Sequence, residues 1–185
     1  MNRRKRKPAH AYMYSFIDEL MASTTEPLSA ENRAWQLGRM RDALQTIESG
    51  EQPTPDDWRL CCDAVNMLET LTTAGGTLPD ENGALCDGWW LGCDGEPVRV
   101  TDASGMLQDA ITALATAAGR KSRHGSIRLD GPGIKTMRAV LDDYADLLAA
   151  LPARTTIRAH RQTERRVHEI SSGKKRPHDV EVVSL

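Results

Sequence analysis

"PTPDDWRLCCDAVNMLETLTTAGG", residues 53–76, decides the fold class. Thr54 is placed to cap a helix with its hydroxyl, and Pro55 fits the first helical position, where a missing amide costs nothing. Asp56 and Asp57 follow where the helix dipole is positive. Trp58, Cys61, Val65, Leu68 and Thr72 then recur at 3-4-3-4 spacing, which is one face of a helix. Gly75 and Gly76 stop it.

The pattern repeats outward in both directions. Upstream, Ser29 caps a helix that runs to about Ser49, with Leu37, Met40, Leu44 and Ile47 on one face and Gly50 as its stop. About four residues join the two helices, which favours an antiparallel hairpin. Earlier still, "AHAYMYSFIDELMAST" (9–24) reads as a short helix whose apolar face is Phe16, Ile17, Leu20 and Met21, broken by "TTEPLS". Downstream, "TDASGMLQDAITALATAAG" (101–119) has Asp102 or Ser104 as cap. Its buried stripe is Met106 or Leu107, Ala110, Ile111 and Leu114. "RKSRHGSIRLDGPG" (120–133) reads as a basic connection with a short strand at Ser126–Leu129. Asp130 and Pro132 start another helix, on which Met137, Leu141, Tyr144, Leu148 and Leu151 space 4-3-4-3 until Pro152 ends it. A last helix, about Thr155–Ser171, has only Ile157, Val167 and Ile170 as apolar positions.

The fold class that follows is mainly α: a single-domain bundle of five or six helices with a short β-hairpin insertion at about 77–100. The helical domain spans 9–171, between a basic disordered arm (1–8) and a tail (172–185). Scarce aromatics agree with this, since one Phe, three Tyr and four Trp in 185 residues are few for a β-sandwich. No apolar run approaches the ~20 residues that span a bilayer. The basic opening is not followed by an apolar stretch, so it is not a signal peptide, and the expected location is the cytoplasm.

"ALCDGWWLGCDGEPVRV" (84–100) carries two of the four cysteines, two tryptophans and CDG twice. Cys86 and Cys93 lie too far apart for a zinc knuckle, and adjacent Cys61 and Cys62 point in different directions on a helix. The cytoplasm argues against a disulfide. Asp94-Gly95 suits a two-residue primed turn, so the segment reads as a two-stranded flap with Pro97 on an edge. Alternation sends Trp89 and Trp90 to opposite faces. Either one is left near solvent as a protein-binding anchor, or both are covered by the protein itself.

Charge is unevenly placed. Residues 1–8 carry Arg3, Arg4, Lys5, Arg6 and Lys7, a net of +5; residues 9–153 carry a net of −11; residues 154–185 carry +4. Arg154, Arg158, Arg161 and Arg165 recur at 4-3-4 spacing with Arg166 beside them. Such a row can track phosphates, or it is a solvated face or one paired with the acidic body. The same alternatives hold for the basic arm. His160, Glu164 and His168 share a face at i, i+4, i+8. Histidine and glutamate so placed can hold a metal, but on a polar terminal helix they read as a solvated face of intrahelical pairs.

No phosphate loop, nucleophile elbow, zinc-protease or dinucleotide motif is present in the sequence, and neither a cofactor nor a metal is expected. "RRKRKP" and "DWRLCCDAVNMLETL" (57–71) resemble small helical accessory proteins of bacterial prophages and integrative elements. The resemblance covers 1–75 and 101–171, and the Trp-Trp insertion departs from it. It brings no catalytic residues. It implies proteins that regulate nucleic acid or block host defence complexes by binding. The function expected is a non-enzymatic binding protein of a mobile element that contacts nucleic acid or a nucleoprotein through its basic arms and arginine-rich helix. The alternative is an inhibitor or adaptor acting on a host defence complex through protein–protein contact.

Overall fold

The computed structural model describes residues 13–49, 53–102, 104–125 and 127–174. The expected arm residues Arg3, Arg4, Lys5, Arg6 and Lys7, the helix stop at Gly50 and most of the tail lie outside them. The protein is mainly helical. Helices α1 (Phe16–Met21), α2 (Ala30–Ser49) and α3 (Pro55–Ala74) precede strands β1 (Gly76–Pro79), β2 (Leu85–Leu91) and β3 (Pro97–Arg99). Helices α4 (Met106–His124), α5 (Gly131–Ala150) and α6 (Ala153–Ser171) follow.

The central helix is α3, which packs against α2, α4, α5, α6 and β2. Its start is the capping box read in the sequence: Asp57 N donates to Thr54 Oγ1 at 3.2 Å and Thr54 N donates to Asp57 Oδ2 at 2.8 Å. Trp58, Cys61, Val65 and Leu68 are buried as the spacing predicts. Burial also reaches Asn66, Glu69 and Thr70, because neighbours cover α3 on more than one side. The α5 stripe is buried throughout, from Met137 to Leu151, and α2 contributes Met40, Ala43, Leu44 and Ile47.

Helix α4 is longer than expected. It runs through the basic stretch to His124, and Gly125, at φ +75°, closes it by donating to Lys121 O at 2.8 Å. The strand expected at Ser126–Leu129 is absent among the described residues. Ile127 and Leu129 are instead buried in an irregular connection.

The insertion is a three-stranded antiparallel sheet of order β1-β2-β3, one strand more than the flap expected. The added strand is the four residues GTLP, too short and too rich in glycine and proline to announce itself. The 94–95 turn also differs. Gly92 N donates to Glu96 O at 2.8 Å around a three-residue loop, with positive φ only at Gly95. The first CDG is used differently. Gly88, at φ +85°, lies so close to Val100 O that a Cβ would be 2.2 Å from it. The strand crosses the end of α3 at this point, and a Cβ on Gly75 would meet Gly88 at 2.6 Å.

Among the described residues, no helix is long and apolar enough to cross a membrane.

Candidate interaction surface on helices α1 and α6

Helix α1 inverts the expectation. Ser15 and Asp18 form a capping box that starts it at Phe16. Phe16, Ile17, Leu20 and Met21 then share one arc, as the spacing requires, but the arc faces outward: they are 57%, 69%, 53% and 81% exposed. Glu19, on the far side of the helix, is the residue turned inward, at 8% exposure.

The reason lies in α6. Arg158 Nε donates to Glu19 Oε1 at 2.9 Å, and an Arg161 guanidinium nitrogen donates to Glu19 Oε2. Arg154 donates from Nε to Glu19 O at 3.2 Å and from an Nη to Leu20 O at 2.7 Å. It thereby caps the carbonyl end of α1, where positive charge is favoured. Burial pushes the Glu19 carboxyl up, and the two guanidinia outweigh that and hold it below the ordinary range. Segment 22–26 completes the seam. Ala153 N and Arg154 N, orphan amides of the first turn of α6, donate to Glu26 O at 2.8 Å and Ser23 O at 3.0 Å. On the other flank, Tyr14 accepts from Gln36 Nε2 at 2.6 Å and packs on the core. Helix α1 is thus a span fixed at both ends with a polar underside.

The arginine row is therefore divided. Arg154, Arg158 and Arg161 face α1. Arg166 turns to α3, donating to Thr70 Oγ1 at 3.3 Å beside Glu69. Arg165 is exposed and forms no ion pair with a described residue. A groove of about 740 Å³ runs beside the seam, lined by Tyr14, Phe16, Arg158, Arg161, Gln162 and Arg165. Arg161 also lies over the Phe16 ring, 5.2 Å from its centroid.

The His160 ladder is not a solvated face. His160 is 6% exposed, Glu164 is half-buried and only His168 is exposed. The fully buried Tyr144 hydroxyl lies 2.9 Å from His160 Nε2 and donates to Gln36 Oε1 at 3.4 Å. Burial pulls the imidazole from 6.5 to about 4, so it is neutral at pH 7. Glu164 accepts from Met13 N at 2.8 Å. Among the described residues, no three His, Cys, Asp or Glu side chains converge as metal ligands. The four cysteines are free, and burial pushes the Cys61 thiol up to about 12, far from a reactive thiolate.

Both tryptophans of the flap are half-buried. Trp90 packs on the core and donates from Nε1 to Leu71 O at 2.7 Å. Trp89 lies under Arg99, 5.8 Å from ring centroid to guanidinium. The flap is thereby fastened to α3, and neither ring stands out as an open anchor.

The residues missed by sequence reading are Glu19 and the outward side of α1. Residues 15–18, "SFID", carry the capping-box signature that places the helix start. Nothing local says which side of so short a helix turns inward. No protein-family model matches the chain, and no curated protein and no solved structure is detectably similar to it.

Proposed function

We propose that the protein is a non-enzymatic binding protein of the cytoplasm, an inhibitor or adaptor that takes a protein partner on the outer side of α1. One observation carries this reading: four large apolar side chains stand exposed on six consecutive helical residues. Clustered exposed apolar surface is characteristic of interaction sites. The flanking charge defines the partner. Arg165 is exposed and lines one groove with Phe16, so the surface fits an amphipathic segment with an apolar stripe and a carboxylate at its edge. The resemblance to prophage accessory proteins would make that segment part of a host complex.

Site-specific photo-crosslinking tests this. A photoreactive residue at Ile17, in the cells that make the protein, is expected to give one discrete protein adduct. The same residue at exposed Ala115 on α4 should not. Equal labelling from both positions, or none from Ile17, contradicts the reading.

A further inference from the structure

Three arginines of one helix row bond to the negative groups of a short helix beside them: Arg154 and Arg161 are partly covered by it, and Arg158 keeps 59% of its side chain exposed. Glu19 supplies a carboxylate to Arg158 and Arg161, and the carbonyls of Glu19 and Leu20 supply partial negative charge to Arg154. These groups follow the row in order, from Arg154 to Arg161. One carboxylate and two carbonyl oxygens thus place acceptors along the row, as the oxygens of a nucleic-acid backbone do. The apolar side of α1 gains nothing from this docking, since it faces water. The contact is therefore built around the arginines.

We propose that Arg154, Arg158 and Arg161 form a binding row for the phosphates of single-stranded nucleic acid, whose donors α1 occupies, with Glu19 and its neighbouring carbonyls standing in for the phosphates. The row continues uncovered to Arg165. From 154 to 165 it extends about 16 Å along the helix, room for more than one phosphate. Single strands are favoured over duplex because an exposed aromatic adjoins the row. The Phe16 ring stands at the groove edge with Arg161 over it, and Tyr14 lines the same groove. Ring faces beside guanidinia are what unpaired bases stack on. This goes beyond the protein-partner reading and does not depend on it.

The test uses the full chain and a labelled 20-nucleotide single strand of mixed sequence, titrated at several salt concentrations. Glu19→Ala frees Arg158 and Arg161 from their carboxylate with α1 and Phe16 in place. It is expected to tighten binding about tenfold at low salt. It should also steepen the log–log salt dependence by about 1.4, two contacts at about 0.7 each. Adding Arg158→Ala and Arg161→Ala should return both to the wild-type values. Glu31→Gln, an equal charge change at an exposed position on α2, should leave both unchanged. Unchanged binding in Glu19→Ala, an equal gain in Glu31→Gln, or a gain that survives loss of the two arginines overturns the proposal. A poly-glutamate competitor matched in charge should displace the strand poorly. Equal displacement would assign the row to an acidic protein segment and overturn the nucleic-acid assignment. Crosslinking from Ile17 reads the other surface, so either result can fail alone.

Discussion

Glu19 Oε1 accepts from Arg158 Nε at 2.9 Å across 139 residues of sequence, and with the bonds from Arg161 and Arg154 it ties the inward side of α1 to α6. The seam lies near the surface, with 59% of the Arg158 side chain exposed, so salt should loosen it. Pairs of this kind contribute up to about 1 kcal/mol. Raising salt from about 0.05 to 0.5 M, which cuts the Debye length about threefold, should therefore speed amide exchange in 16–21 by about two- to fivefold. Amides in the middle of α3 should not respond. Exchange in 16–21 that ignores salt would mean that something else holds the helix.

His160 should make stability depend on pH. Its folded-state value is about 4 against 6.5 when unfolded, so the unfolded chain binds the proton first as pH falls. The contribution is fully present above about pH 6.5 and is lost as pH drops towards 4, to a total of about 3 kcal/mol. Glu19, Asp80 and Asp130 act in the same direction, but their carboxyls lie below the ordinary range, so the window above about 4.5 belongs to His160. Denaturant unfolding at several pH values should show the decline in the wild type and a flatter curve in His160→Gln. Identical curves would contradict the buried Tyr144–His160 pair.

The two CDG glycines should differ sharply in their tolerance of a side chain. Gly95 has positive φ but open space around it, so Gly95→Ala should cost about 1–2 kcal/mol. Gly88→Ala adds a clash with the Val100 carbonyl to the same strain and should cost upwards of about 3 kcal/mol. Unfolding midpoints of the two variants check the order.

Thr54→Ala should lower stability by about 1 kcal/mol, because it removes the hydroxyl that accepts from Asp57 N at the start of the central helix. Urea unfolding measures the loss, and no loss would mean that α3 begins elsewhere.

The long helices were legible because α2, α3 and α5 each combine a side-chain cap with a sustained 3-4 stripe, two signals that agree. Helix α1 was half legible. Periodicity told which of its residues share a side, but the direction of that side depends on Arg154, Arg158 and Arg161, far along the chain. The end of helix α4 is not legible because "RKSRH" has no apolar stripe, although basic residues suit the negative end of a helix. His160 looked like surface because arginines flank it at 158 and 161. Its partner Tyr144 lies on the preceding helix, out of reach of any local pattern. Asp94-Gly95 reads as a turn from its sequence, but only the crossing over α3 makes Gly88 a point of close approach.

The central claim is that the outer side of α1 is the working surface. Native mass spectrometry of the protein purified from the cells that produce it tests this most directly, comparing wild type with the Ile17→Ser, Leu20→Ser double variant. Both side chains are more than half exposed, so the variant should keep its stability within about 0.5 kcal/mol. The account predicts a defined protein complex for the wild type and its loss in the folded variant. The same complex in both, or none in the wild type, would contradict it.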